Sequence, residues 1–461
     1  MFRSTVSTLV LCATAPLAQA DGHIFTATNE AELREALENA AAADAPVIVV
    51  AGSNIDAAAG FTFAGTGSLT LIGNGQTIAT SADEDVFAAN EGANLTISNL
   101  TFEGPSGFNI QNRGDADGTA GKGIFVDVRD DQTGDVIVDL FNVTVRGVAN
   151  HGIHISDCTL ADECGSGGGG AGEGSDASVH VILNNVTIDD AGNGKFDADG
   201  LRVDERGAGS IRVDITGSTF QFVGADGVEL DEGQAGDVIS NVTDSTFANN
   251  GNYCDPAIME AFLPDPDEGE FDEGEFAEAD VPPAVEGSPD DLCIEREVNL
   301  YDDGSVEEFA FGLDLDDGYD IDEAGEGSII SVMFGSSIVD NLDEGIDFDE
   351  EDGGNIDVVF IATDASGNTD DGYKFSEEGD GDTIAVVTAS SALNNGGKGF
   401  VFEEANEGDL EASLIASETK NNDDGDDTGV EACQEGDGDG ALMLIASDIE
   451  DGVDLDGVDD K

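Results

Sequence analysis

Apolar and polar residues alternate in short runs along this chain, and between residues 317 and 429 the runs recur at a fixed period. The alternation, as in Ile346/Phe348 and Ile356/Val358/Phe360, is typical of strands, and no helical period fits it. Two further columns recur every 27 residues: the glycines Gly318, Gly345, Gly372 and Gly399, and the asparagines Asn341, Asn368, Asn395 and Asn422. Self-similarity of this kind indicates a solenoid, in which each repeat buries its apolar face against its neighbours. The pattern therefore predicts a parallel β-helix.

An asparagine column at one turn, with stacked aliphatic and aromatic columns inside the coil, resembles the right-handed parallel β-helix proteins of the pectate-lyase type. The resemblance covers most of the chain after the first 20 residues and implies an all-β, right-handed solenoid. That superfamily includes polysaccharide lyases, glycoside hydrolases, esterases, epimerases, tailspikes and adhesins without catalysis. Fold alone therefore does not choose the function.

The first 45 residues predict an export signal followed by a cap. Residues 1–20 have the charge of Arg3, an apolar stretch and a small-residue cleavage site, as secretory signals do. In residues 21–45, Asn29 is placed to cap an amphipathic helix that ends at Ala41 and covers the open end of the solenoid. No later apolar run approaches the about 20 residues that span a bilayer. We expect a protein that is secreted, held at the cell surface or periplasmic.

The remaining chain divides into coils at 46–253, an acidic insertion at 254–311, and coils with an acidic end at 312–461. A second, glycine-rich insert runs from Cys158 to Ser178. Because an exported chain permits disulfides, we expect the pairs Cys158–Cys164 and Cys254–Cys293, with Cys433 unpaired.

Charge narrows the choice of partners. The chain has 101 acidic and 15 basic residues, a formal charge of −86, which opposes nucleic acid and anionic membranes and favours cations. Two explanations remain open: an acidic surface adapted to a salty medium, where ions screen the repulsion, or specific calcium binding. The 24 phenylalanines and regular apolar columns argue against disorder.

Residues two and four positions after each turn glycine are predicted to point outward and to stack about 4.8 Å apart in successive coils. Both columns are acidic over several coils, and like charges at that spacing raise one another's pKa unless a cation neutralises them. Calcium accepts several oxygen ligands in irregular geometry. The predicted calcium ligands are Asp320, Asp322, Asp347 and Asp349, with Asp317, Asp343 and Glu344 as further ligands.

Eight of the 15 lysines and arginines fall between residues 113 and 212, together with three histidines. Among them His154 and Arg202 are expected to converge with Asp204 and Asp231. A lyase needs a cation to hold a substrate carboxylate and a base of suitable pKa, whereas a glycosidase needs two carboxylates at a defined separation. These four residues are the candidate catalytic set; the alternative is that they pair with surrounding acids on a surface.

Three functions follow from these patterns. The first is a secreted, calcium-binding protein that binds extracellular polysaccharide. The second is a polysaccharide lyase or glycoside hydrolase that uses the four candidate catalytic residues. The third is a structural filament or matrix component.

Overall fold

The computed structural model describes residues 23–43, 45–113, 120–158, 174–263, 271–277, 280–281, 287–301, 304–351, 353–422, 428–436 and 438–460. The predicted signal at 1–20 and Cys164 lie outside these residues, as does most of the glycine-rich insert. Within them the chain forms the predicted right-handed parallel β-helix with an N-terminal capping helix. No helix in the described ranges is long and apolar enough to cross a membrane.

Each coil contributes a strand to a sheet that we call the first sheet, in which twelve described strands follow one another in chain order. They are Phe61–Phe63, Phe87–Ala89, Ile124–Asp127, Ile153–Ser156, Leu201–Glu205, Val228–Glu232, Tyr319–Glu323, Ile346–Glu350, Tyr373–Glu377, Phe400–Glu404, Val430–Gln434 and Val453–Asp456. The turn glycines of the 27-residue repeat come directly before these strands, as at Gly345 and Gly372. An added Cβ at Gly345 would lie 2.6 Å from the carbonyl oxygen of Gly372 in the next coil, so coil stacking requires glycine there.

The rest of each coil belongs to a second parallel sheet of 23 described strands. They are His23–Ala27, Val47–Ala51, Ile55–Ala57, Leu69–Thr80, Leu95–Glu103, Thr133–Arg146, Asp176–Asn184, Thr187–Asp189, Ile211–Thr216, Thr219–Gln221, Val238–Thr243, Thr246–Ala248, Ile329–Phe334, Ser337–Val339, Ile356–Ile361, Asp364–Ser366, Thr383–Thr388, Ser391–Leu393, Leu410–Ile415, Glu418–Lys420, Gly440–Ile445, Asp448–Ile449 and Val458–Asp460. In-register pairing stacks apolar positions of successive coils: Met333 pairs with Phe360, which pairs with Val387.

The interior is formed by the alternating positions that the sequence pattern identified. Phe348 and Phe360 are fully buried, and the rings of Phe348 and Phe375 lie 5.6 Å apart in adjacent coils. Burying a side chain of this size contributes about 1.5–3 kcal/mol, and the columns repeat that contribution in each coil.

The asparagine column forms a ladder inside a turn. Asn368 donates from Nδ2 to Oδ1 of Asn395 over 3.2 Å, and Asn395 donates to Asn422 over 2.9 Å. Asn250 extends the ladder by donating to Asn341 over 3.0 Å. These bonds satisfy polar groups that burial would otherwise leave without partners.

The N-terminal helix is also confirmed, at Glu30–Ala41. The side chain of Asn29 accepts a hydrogen bond from the backbone N–H of Glu32, which supplies the cap. Its apolar face is buried against the first coil. That face consists of Leu33, Ala36, Leu37 and Ala40.

The insertion after Ala248 carries a short helix, Pro256–Met259, a 3-10 helix, Glu260–Phe262, and an antiparallel hairpin of Arg296–Leu300 and Val306–Phe311. The expected disulfide between Cys254 and Cys293 is present, and both cysteines are buried. Cys433 is a free cysteine, as expected. A second, smaller apolar cluster packs the insertion against Ile110 and Phe196 of earlier coils. The insertion is therefore anchored beside the first sheet.

Candidate functional site

The outward side of the first sheet carries two columns of polar side chains, which we call the acidic face. Strand pairing places the residues in the predicted order. One column is Phe125, His154, Arg202, Glu229, Asp320, Asp347, Lys374 and Val401. The other is Asp127, Ser156, Asp204, Asp231, Asp322, Asp349, Ser376 and Glu403.

The centre of this face is buried, whereas the sequence suggested a hydrated surface. Arg202 is 2% exposed, and Asp204 and Asp231 are fully buried. Arg206, itself 3% exposed, donates from its guanidinium to Asp231 and covers that end of the columns. Burial makes every unpaired charge on this face costly.

Arg202 is the electrostatic centre of the acidic face. Its guanidinium donates to Asp204 over 2.8 Å and to Asp231 over 3.1 Å. It also contacts three further carboxylates, those of Asp197, Asp199 and Glu229. Five carboxylates contact this one guanidinium and one of them, Asp231, also contacts Arg206, so carboxylates outnumber the cations of the group. Because its donors are taken by protein carboxylates, Arg202 is poorly placed to bind a substrate carboxylate, the role that the lyase hypothesis requires.

The four candidate catalytic residues lie together. His154 Nε2 is 2.6 Å from Oδ2 of Asp204, which also accepts from Arg202, and Arg202 in turn binds Asp231. Burial and the nearby Lys122 hold the pKa of His154 well below its ordinary value, so the ring is neutral. Its Nε2 therefore donates to Asp204, and its Nδ1 is a buried acceptor without a hydrogen-bond partner.

A second histidine lies beside it. The rings of His151 and His154 are 4.5 Å apart, and the backbone N–H of Asp199 donates to His151 Nδ1 over 2.9 Å. Burial lowers the pKa of His151 well below its ordinary value. Burial opposes ionisation of Asp204, but Arg202 and His154 outweigh it and hold the pKa of that carboxyl well below its usual range.

The four predicted calcium ligands occupy neighbouring strands, with Asp320 opposite Asp347 and Asp322 opposite Asp349. Their carboxylate oxygens, however, do not form one group. Among the residues that the structure describes, the groups of three whose oxygens lie within 4.8 Å of one another are Asp197/Asp199/Glu229, Glu229/Asp320/Asp322, Asp317/Glu344/Asp347 and Asp343/Glu344/Asp370.

Two contacts involve Asp347. Lys374 extends back one coil and donates to Oδ2 of Asp347 over 2.7 Å. Asp347 also groups with Asp317 and Glu344, two of the turn acids that the sequence offered as further ligands. Asp349 belongs to none of the groups found among the described residues.

The pKa values of these acids are raised because buried carboxyl groups lie close to one another. Burial, followed by the charges of neighbouring acids, raises the pKa of Asp317 and Asp320 well above the ordinary value. The same causes raise the pKa of Glu344 to about 10 and that of Asp322 to about 7. Acids in this state at neutral pH either hold protons or bind a cation.

The sequence analysis did not identify one set of buried glutamates. Each first-sheet strand from Leu201–Glu205 to Phe400–Glu404 ends in a glutamate that is at most 1% exposed. The signal was visible, since each of these glutamates is followed by a glycine four residues later.

Comparison with known proteins adds similarity of fold. No family model matches the sequence, and no curated protein matches it. Among solved structures, the periplasmic alginate epimerase AlgG is 11% identical, with 95% of this chain and 83% of that chain covered and a TM-score of 0.36. The A-module of an Azotobacter vinelandii mannuronan C-5 epimerase is also 11% identical, with 94% of each chain covered and a TM-score of 0.34. The GH136 lacto-N-biosidase from Eubacterium ramulus is 10% identical, with 95% of this chain and 67% of that chain covered and a TM-score of 0.43. Similarity at this level carries no conclusion about function.

Proposed function

We propose that this chain is an exported, calcium-binding β-helix protein that binds polysaccharide. The observation that carries the proposal is the group Asp317/Glu344/Asp347 on the acidic face. Each of these residues is 9% exposed, and their carboxylate oxygens lie within 4.8 Å of one another.

Two buried carboxylate oxygens suit this group to a cation. Oδ1 of Asp317 and Oδ1 of Asp347 are both buried without a hydrogen-bond partner. An acceptor in this position is costly unless a cation or a proton satisfies it. All three ligands are carboxylates, and hard oxygen donors in irregular geometry suit calcium. Asp317, Glu344 and Asp347 would hold the ion, and Asp343 and Asp320 would extend the negative field around it.

A polysaccharide partner is supported by two features. A calcium ion held by three carboxylates keeps coordination positions for the oxygens of a further ligand. In addition, the insertion presents three half-buried phenylalanines whose rings stack, with 4.3 Å between Phe271 and Phe276 and 5.9 Å between Phe276 and Phe309. Clustered aromatic surface outside a core is typical of ligand-binding sites.

Calcium titration of the purified protein in high sodium chloride, by calorimetry with thermal melting alongside, tests the cation site. We expect saturable heat and a rise in Tm, because a ligand of the folded state stabilises it by about 2.7 kcal/mol at 100 times its Kd. The variant carrying Asp317→Asn and Glu344→Gln should lose the saturable heat of calcium binding. The control Asp357→Asn, on the second sheet, should retain it. Absence of saturable heat from the wild type would overturn the calcium proposal.

A glycan array probed with and without calcium tests the partner. We expect binding that chelation abolishes and that the double variant Phe271→Ala, Phe309→Ala weakens. Calcium binding by that variant should be unchanged, because the rings lie outside the carboxylate groups. Calcium binding by the wild type with no glycan retained would refute the polysaccharide half of the proposal and leave the metal site standing.

The alternative is a polysaccharide lyase or glycoside hydrolase, and one observation favours it. His154 is oriented by Asp204 and keeps an unpartnered Nδ1, which is the arrangement of a general base held by a second group. Incubation with polyuronates and neutral polysaccharides should then give cleavage that His154→Asn abolishes while Tm is retained. A wild-type protein that binds glycan but leaves every tested chain intact would exclude this alternative for those substrates.

A further inference from the structure

The glutamates that end the first-sheet strands form a buried ladder. They pair in register through six successive coils, and Gln434 continues the column in the next coil. They lie on the inner side of the turn into the second sheet, away from the acidic face. The glutamate ladder comprises Glu205, Glu232, Glu323, Glu350, Glu377 and Glu404.

One oxygen of each ladder carboxyl is satisfied by the backbone. Glu377 Oε1 accepts from the N–H of Gly381 over 3.0 Å, and Glu404 Oε1 accepts from the N–H of Gly408 over 3.1 Å. A Cβ added at Gly408 would lie 1.4 Å from the carbonyl oxygen of Gly381, so the turn needs glycine to bring coils this close. The glutamate and the glycine four residues later are therefore one structural unit.

In Glu377 and Glu404 the other carboxyl oxygen accepts no hydrogen bond. Oε2 of Glu377 and Oε2 of Glu404 are buried without a hydrogen-bond partner, in residues that are at most 1% exposed. The strands of these two residues pair in register with Glu377 opposite Glu404, so the two side chains are neighbours in adjacent coils. Two ionised carboxylates in contact in a dry interior repel strongly, but a proton between them turns one into a donor to the other. Both orphan acceptors are then accounted for.

We propose that Glu377 and Glu404 share a bound proton at neutral pH and that this carboxyl–carboxylate hydrogen bond joins two coils of the solenoid. The proton is favoured over a metal ion because one oxygen of each carboxyl already accepts a hydrogen bond from a backbone N–H. A dehydrated metal ion requires more oxygen ligands than the remaining one from each residue.

The charged surroundings point the same way. Burial, and then Glu350 in the preceding coil, raises the pKa of Glu377 to about 7; burial, and then Glu377 and Asp382, raises the pKa of Glu404 to about 8. Because the folded pKa values are raised, the stabilisation is complete below about pH 4 and is lost as pH rises through about 7 to 8.

The test compares two glutamate-to-glutamine variants with equal change in charge. Glu404→Gln places at this position the amide that the next coil already has at Gln434, so it should fold. The control, Glu411→Gln, changes an exposed outward residue on Leu410–Ile415. For both we would measure Tm from pH 5 to 9 and the infrared band of protonated carboxyl groups at pH 7, in saturating calcium.

We expect the Tm of the wild type and of Glu411→Gln to fall equally as pH rises from 7 to 9. The Tm of Glu404→Gln should fall less, and this variant should lack part of the protonated-carboxyl band, since the shared proton is gone. Glu377→Gln, which removes the same proton from the other side, should reproduce both changes. Identical pH profiles and infrared bands for Glu404→Gln and Glu411→Gln would overturn the proposal. If Glu404→Gln fails to fold, the same comparison with Glu377→Gln decides.

Discussion

Replacement of Arg202 by methionine tests the description of the acidic face most severely. Methionine keeps an unbranched apolar stem but has no charge, so the cation that contacts five carboxylates disappears, while Arg206 still binds Asp231. Those carboxylates belong to Asp197, Asp199, Asp204, Glu229 and Asp231. Removing one partner of a buried ion pair costs about 3–5 kcal/mol, because the other partner remains charged and buried. We expect a loss in that range at pH 8 without calcium.

The loss should shrink in acid. Asp204 has a lowered pKa in the wild type because of Arg202 and His154, so it contributes stability above its unfolded pKa that the variant lacks. The variant takes up protons on folding instead. Each extra proton reduces its loss of unfolding free energy, relative to the wild type, by about 1.4 kcal/mol for every unit by which the pH falls. Over the three units from pH 8 to pH 5, one proton offsets about 4 kcal/mol. The defect should therefore nearly vanish at pH 5.

Urea unfolding at the two pH values measures this difference, with Arg212→Met as the control. Arg212 is half exposed and pairs with Asp214 over 3.1 Å on the second sheet, where an ion pair contributes about 0–1 kcal/mol. Equal losses for the two variants at pH 8 would refute the account of Arg202 as the centre of the face. So would a defect of Arg202→Met that grows in acid.

Two further predictions concern the solenoid. Asn368→Ala should cost about 1–3 kcal/mol, because it removes the buried Oδ1 that accepts a hydrogen bond from Nδ2 of Asn341. Asn421→Ala, in an exposed asparagine pair, should cost far less, and urea unfolding of both variants checks this. Phe348→Ala should cost about 3–5 kcal/mol, because it leaves a cavity in the fully buried aromatic column. Phe334→Ala removes a side chain that is 48% exposed and should cost under about 1 kcal/mol. Equal losses in the same assay would contradict the assignment of inner and outer positions.

Much of the fold was predictable because the repeat carries its own register. A step of 27 residues that recurs at Gly318, Gly345 and Gly372 leaves one way to stack the coils, and the strand pairing follows it. The capping helix was equally local, since Asn29 and the apolar spacing after it are sufficient to define it. The disulfide Cys254–Cys293 followed from order along the chain.

The site was less predictable because it depends on turns and on the reach of long side chains. Sequence placed Arg202 next to Asp204 and Asp231 through the register, but not Asp197 and Asp199, which approach through the conformation of the preceding turn. Sequence offered Asp317 and Glu344 only as further ligands, whereas their carboxylate oxygens lie in one group with those of Asp347, because the reach of side chains between coils has no signature in the repeat.

The glutamate ladder was missed for a different reason. The alternation that correctly turned Phe348 inward also turns Glu350 inward, and a buried glutamate contradicts the expectation that inner positions are apolar. The contradiction is resolved by the glycine N–H that each carboxyl binds, as Gly354 does for Glu350 over 2.7 Å. Inner polar positions in such a repeat are predictable only when the turn that satisfies them is considered with the strand.

Stacking itself explains why this acidic chain needs several ways to compensate charge. A coil repeat places each residue about 4.8 Å from its counterpart, so any position that is acidic in one repeat becomes a column of like charges. Apolar and asparagine columns gain from that duplication, but carboxylate columns repel. Arg202 compensates one part of the acidic face directly, and a bound calcium ion at Asp317, Glu344 and Asp347 would compensate the next. The ladder at Glu377 and Glu404 faces the interior, where the two remaining oxygens favour a proton.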